Sequence, residues 1–345
     1  MSLKTAFLVD LSHFLSKIFF NGTTVAFTIL FFMIPNRVFF IWFGNKLPLS
    51  TGLAILSAKQ IQKPEETILY IESKADEISG EGYDLIKNEP GITLKKINDS
   101  IFADLEDNGI CNHLFHILKS PASKVNLLRL ALLYKGGGVY LDTDTIAVKP
   151  WNDLLQYKGF CGLEPVTFPQ ELYNSKNPFF YLFAWIRFFW RFLCVYLPRG
   201  EQIFRLTERF YSFCASNAIL GSEAKNVFFE RVFATINEME EKEQLKRYRL
   251  GTHVIQKATK NKSSEIMEML PPAYFYPVGP DVSVHLFRDG SAKRLNKILL
   301  PQTRIVHWYN SVENKFLHQQ LNLKWIEEHS TSAFAKLARN VICSK

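Results

Sequence analysis

The chain has 345 residues, 47% of them hydrophobic and 21% charged, with 41 lysines and arginines against 33 acidic residues, a formal net charge of +8. That length and apolar content suffice for one sizeable core and exclude a disordered or fibrous protein. The cationic excess implies an anionic partner, but the basic residues are scattered and no zinc-finger, RNA-binding or homeodomain pattern occurs, so nucleic acid is not expected. Five cysteines without C-x-x-C spacing exclude a zinc ribbon and suit a reducing compartment.

The first apolar stretch, residues 18–35, is interrupted by Asn21, Gly22 and three threonines. It reads as a short membrane-associating or packing helix within an N-terminal segment 1–33, not as a cleaved signal peptide. A strand is predicted over 38–43, with Trp42 at its carboxyl end, then a helix, then strands near 67–71 and 92–97. "SPASKVNLLRLALLYKGGG" predicts a helix of about three turns, capped by Ser123 and stopped by glycine. Asn126 and Arg129 lie three apart and share one face of it. An arginine among leucines needs an anionic partner.

The following run, Val139 to Val148, is apolar and β-branched and predicts a strand, yet it contains Asp142 and Asp144. On a strand these two share a face with Cα atoms roughly 6–7 Å apart. Two carboxylates that close require a cation, and hard ions such as Mg²⁺ or Mn²⁺ take this kind of oxygen ligand. The alternation of elements implies an α/β protein: a mostly parallel sheet with helices on both faces and ligands at the carboxyl ends of the strands. "GGGVY" precedes a strand and so is not a dinucleotide fingerprint, no P-loop occurs, and Ile146 and Ala147 break an EF-hand.

Further along, "NPFFYLFAWIRFFWRFLCVYLPRG", 177–200, holds ten aromatics between Pro178 and Leu197. It nearly spans a bilayer in length, but Arg187 and Arg191 oppose spanning. An element lying in an anionic membrane interface, with both arginines among headgroups, is expected; a helical hairpin packed on the protein is the other reading. The charge run 238–249 reads as a solvated helix.

Taken together, Ala122-Ser123-x-x-Asn126-x-x-Arg129, Leu133-Tyr134 and Gly137-Gly138-Val139-Tyr140-Leu141-Asp142-Thr143-Asp144 resemble the centre of the DXD-motif sugar-transferase family. That family includes α-1,4-galactosyltransferases, α-1,4-N-acetylglucosaminyltransferases and initiating α-1,6-mannosyltransferases, and is distantly similar to clostridial glucosylating toxins. "IPNRVFFIWFGNKLP", Asn217-Ala218, "GTHVIQKA" at Gly251, "AYFYPV" and "RIVHWYNS" fall in the family's order, so the resemblance runs from about Ile34 to Ser311. The chain departs at Asn126, where the family usually has Asp, and at Val312, where an aromatic often stands.

The resemblance implies a Rossmann-like, GT-A-type domain over 34–320; the residues themselves place an aromatic, membrane-interfacial insertion at 171–205 and a C-terminal helix over 321–345. It implies metal-dependent, retaining transfer of a sugar from a nucleotide-diphosphate sugar to a glycan, glycolipid or protein acceptor, with Mn²⁺ or Mg²⁺ as cofactor. Asp142, Asp144, His307 and Ser311 would ligate the metal. Asp142, Asp144 and Arg129 would be the catalytic set. Asn126 would grip the donor sugar with Arg129, Trp42 would stack on the base, and Tyr140, Asn217 and Gly251 would line the donor site. A peripheral position on the cytoplasmic side of a membrane is expected, with a Golgi-type lumenal membrane as the alternative. The competing class is a non-catalytic membrane- or glycan-binding protein that keeps the fold.

Overall fold

Strand β1 (Arg37–Trp42, RVFFIW) is apolar from Val38 onward because both of its faces are covered. Val38 and Phe40 belong to one buried cluster, and Phe39 and Ile41 to the other. This alternation is what a strand in a sheet sandwiched between helices requires. The description rests on a computed structural model that describes residues 33–169, 172, 175–246, 249–259, 266–309 and 320–344. Nearly all of the predicted N-terminal segment, and the expectations at Ser311 and Val312, lie outside the described residues.

Residues 32 to 345 form one compact unit around a seven-stranded sheet of order β3-β2-β1-β4-β7-β6-β8. Its strands are β1, β2 (Glu66–Ile71), β3 (Ile92–Lys96), β4 (Gly138–Leu141), β6 (Gly159–Val166), β7 (Ser212–Ser222) and β8 (Glu268–Leu270). Strands β3, β2, β1 and β4 run parallel, β7 is antiparallel to both neighbours, and β6 and β8 are parallel. Helix α1 (Leu49–Gln62) lies on one face, and α2 (Ile110–Ile117) and α3 (Pro121–Gly136) on the other. Strands β5 (Thr145–Ala147) and β9 (Ile305–His307) form a separate antiparallel pair. Ser57 of α1 holds that pair by accepting a hydrogen bond from the Ala147 amide at 3.0 Å.

The order β2-β1-β4 reverses direction of growth at β1, and such a switch opens a crevice at the carboxyl ends of the strands. Trp42 and Asp142 stand at those ends. The sheet is thus the mostly parallel, helix-flanked α/β arrangement expected from the sequence.

Three local expectations change. Helix α3 begins at Pro121 with Ser120 at its cap position, so Ser123 is inside the helix. Proline suits the first turn because its missing N–H would be unpaired there anyway. The run 139–148 is two strands, not one: the chain leaves the main sheet after Leu141 and joins β9 at Thr145. Asp142, Thr143 and Asp144 occupy the break, closed by Thr145 Oγ1 donating to the Asp142 carbonyl at 2.8 Å. Between 238 and 249 the described helix is confined to Glu241–Gln244.

Candidate active site

The break between β4 and β5 forms the floor of a cleft of about 440 Å³. Into it β1 brings Trp42, α3 brings Asn126 and Arg129, β4 brings Tyr140 with Asp142 and Asp144 beyond it, β7 brings Asn217, and β9 brings His307. Gly251 lines it from the turn Arg249–His253. Every described residue expected at the site from the sequence therefore meets in one cleft.

Asp144 Oδ1 lies 3.1 Å from His307 Nε2, and Asp142 Oδ2 lies 4.0 Å from the same nitrogen. Asp144 and His307 are almost fully buried, at 7% and 6% exposure. The register Thr145↔His307 in the β5–β9 pair brings these distant parts of the chain together. One ligand atom from each of Asp142, Asp144 and His307 lies within 4.8 Å of the others. Two hard carboxylates and an imidazole are a donor set suited to a divalent cation such as Mn²⁺ or Mg²⁺.

Burial raises the Asp142 carboxyl; Arg129 opposes the rise and Asp144 adds to it. Burial would lower the His307 imidazole, but the charges of Asp144, Glu164 and Asp142 overcome it and raise it to about 9. Without another cation, the protonated imidazole is the counter-charge between the two aspartates.

Arg129 is placed on the opposite side of Asp142, with Nη2 at 3.3 Å from Oδ1. Its guanidinium lies over the Tyr140 ring at 4.3 Å, donates to the Asn217 carbonyl, and is 5% exposed. Tyr140 in turn donates its hydroxyl to Asp142 Oδ1. The arginine's need for an anion among leucines is met by Asp142, as the sequence required.

Asn217 Nδ2 donates to Asn126 Oδ1 at 2.9 Å, and Thr252 Oγ1 donates to Asn217 Oδ1 at 3.3 Å. Gly251 has a packing reason to be glycine. A Cβ there would stand 2.6 Å from Asn217 Nδ2 and 2.9 Å from Asn126 Nδ2, closer than side chains tolerate. The Trp42 indole N–H is buried without a hydrogen-bond partner.

Sequence reading missed Glu164, Ser216 and Tyr309, which also line the cleft. Glu164 sits on β6, its carboxyl raised by burial against the pull of His307 and a hydrogen bond with Ser216. A lone carboxylate in "GFCGLEPV" was the available signal, the same kind as the aspartates. Tyr309 adopts φ 58, sparsely populated for a bulky residue, and its ring centroid is 4.3 Å from that of His307. Nothing in sequence periodicity announces it.

A D-x-D pair, Asp142 half-buried and Asp144 buried, thus stands at the switch point of a mostly parallel sheet. Residues 62–160 match the family described as "Glycosyltransferase sugar-binding region containing DXD motif". Glucan organizing enzyme 1 of Cryptococcus neoformans is 33% identical over 123 residues, 35% of this chain and 29% of that protein. Subversion of eukaryotic traffic protein A of Legionella pneumophila is 29% identical over 129 residues, 35% of this chain and 18% of that protein. The chain thus spans less than a third of the length of either relative. Among solved structures, the PaToxG glycosyltransferase is 16% identical with a TM-score of 0.41, covering 67% of this chain and 71% of that one. The WbbM bifunctional glycosyltransferase is 12% identical with a TM-score of 0.43, covering 89% and 52%.

Proposed function

We propose that the protein is a metal-dependent, retaining glycosyltransferase that moves a sugar from a nucleotide-diphosphate donor to a glycan, lipid-linked or protein acceptor. The observation that carries this reading is the Asp142, Asp144 and His307 cluster, with ligand atoms within 4.8 Å of one another on the floor of the cleft.

Asp142, Asp144 and His307 would hold Mn²⁺ or Mg²⁺, with Ser311 joining them by resemblance. The ion would supply charge neutralisation on the departing nucleoside diphosphate. The chain's own residues orient the donor. Tyr140 fixes the Asp142 carboxyl, and the Asn217 carbonyl and the Tyr140 ring fix Arg129, leaving little side-chain freedom to lose on binding. The Oδ1 of Asn126 is occupied by Asn217, so its amide hydrogens are what it offers a sugar hydroxyl. Trp42 supplies an aromatic face for the base and an unpaired indole N–H. Glu164 and Tyr309 form the wall beside His307 and face the acceptor side of the cleft in this reading. The protein would work at a membrane surface, peripherally and from the cytoplasmic side, which suits a lipid-linked or membrane-protein acceptor.

The test is incubation of the full chain with a panel of labelled nucleotide sugars, with and without Mn²⁺, and no acceptor. Slow Mn²⁺-dependent release of nucleoside diphosphate from at least one donor is expected. Binding of donor or glycan with no turnover under any metal would overturn the reading in favour of a non-catalytic protein with this fold.

A further inference from the structure

Helix α4 (Pro178–Tyr196) reverses the usual polarity of a protein surface. Twelve of its 19 residues are large apolar side chains open to solvent, including Phe179 at 65%, Phe189 at 61% and Tyr196 at 66% exposure. Among the described residues it is the one helix long and apolar enough to cross a membrane. Its buried side is narrow: Ala184, Arg187, Arg191 and Cys194, spaced three, four and three apart, lie on one stripe.

The two arginines are thus turned toward the protein. Arg191 donates to Thr167 Oγ1 at 2.7 Å and lies over the Phe204 ring, and Arg187 lies 6.0 Å from the Tyr211 ring centroid. The expectation that they sit among headgroups is corrected, because their partners are inside the fold. The carboxyl end of the helix is bolted down. His285 Nε2 pairs with the Cys194 carbonyl at 2.9 Å, and Arg288 donates to the Val195 carbonyl. Gly200, opening α5 (Gly200–Thr207), has no room for a Cβ, which would stand 1.7 Å from the Cys194 oxygen.

We infer that α4 is a monotopic membrane anchor, docking on a phospholipid surface by burying its outward aromatic face in the headgroup–acyl boundary while its arginine stripe holds it to the protein. The charges around it match that occupant. No carboxylate lies between Asn177 and Gly200, and the exposed cations Lys176, Arg199 and Arg209 precede and follow the helix in the chain. Leu206 and Phe210, at 75% and 59% exposure, extend apolar surface beyond the helix. Spanning is opposed because Arg187 and Arg191 would have to abandon their partners for hydrocarbon. The anchorage is apolar first and electrostatic second, so it holds on neutral lipid and at high salt.

This inference deepens the membrane part of the proposed function and is independent of the transfer chemistry. The full chain is floated with neutral phosphatidylcholine vesicles at low and high salt, beside the double variant Phe189→Glu plus Phe192→Glu. Both proteins share residues 1–32, so their difference reads α4. The original chain should float at both salt concentrations, and the variant's partition coefficient should fall about 100-fold. Brominated phosphatidylcholine should quench the share of tryptophan emission that Trp185→Phe removes. Donor hydrolysis should be the same in all three proteins, which separates failure here from failure of the transferase reading. Unquenched Trp185 emission, equal flotation of chain and double variant, or flotation only on anionic vesicles and only at low salt would each overturn the inference. So would lipid-independent dimers that the double variant abolishes, because the face would then serve a second copy.

Discussion

The cleft and helix α4 break the same rule in opposite directions. The cleft buries Asp144, His307 and Arg129, all of which ordinarily face water. The helix exposes phenylalanines and a tryptophan that ordinarily face the core. In the cleft these charges find partners inside the protein: Asp144 in His307, Asp142 in Arg129 and Tyr140, Arg129 in the Asn217 carbonyl. On the outward side of α4 no such compensation exists within the described residues, while its two charges are compensated inward. Inverted polarity that the fold satisfies marks a preorganised site, and inverted polarity that it leaves open marks a surface awaiting another medium.

The sharpest way to break this contrast is Asp144→Asn. Loss of a charged ligand should cut Mn²⁺-dependent donor hydrolysis about 1000-fold, measured as released nucleoside diphosphate. Because Asp144 is the nearest carboxylate to His307, the metal-free variant should also be less stable, by about 1–3 kcal/mol in denaturant titration. Unchanged turnover would mean that the buried carboxylate is structural. Next in size is the 100-fold loss of vesicle partitioning expected for the Phe189 and Phe192 double variant, with no change in hydrolysis.

Trp42→Ala tests the donor end of the cleft. Loss of base stacking should weaken donor binding by about 1–3 kcal/mol in calorimetry, with the fold intact by circular dichroism. Normal affinity would place the base elsewhere. Arg191→Met tests the inward stripe. It removes the hydrogen bond to Thr167 and should lower stability by about 1–2 kcal/mol while leaving vesicle binding unchanged. Weakened vesicle binding with unaltered stability would return that arginine to the headgroups.

The smallest expected effect is at Glu208, beside α5. Burial raises its carboxyl from 4.5 to about 7, with Arg205 opposing the rise. A raised carboxyl contributes stability that is complete below about pH 4.5 and is lost as pH rises through about 7. The original chain should therefore lose stability between pH 5 and pH 8 through this group. Glu208→Gln should flatten that dependence by about 1 kcal/mol, the full shift being discounted for partial exposure. An unchanged pH profile would rule the group out.

The strands at 37–42, 66–71 and 92–96 and the helix carrying Arg129 were legible because their signals are local: apolar alternation, proline and glycine boundaries, and helical spacing of leucines. The need of Asp142 and Asp144 for a cation was equally legible, since two carboxylates in an apolar run are costly wherever they fold. The break after Leu141 was not, because β-branched residues continue through Thr145 and only pairing with β9 reveals the change of sheet.

The sequence by itself determined the α/β class, the polarity of α4 and which residue types the site contains, all of which depend on chain neighbours and spacing. Tertiary structure alone decided that Glu164 and Tyr309 stand beside His307, and that Arg187 and Arg191 turn inward. The physical reason is the same in both cases. A residue's type sets what it requires, but its partner is set by sheet register and helix rotation, which the packing of distant segments fixes.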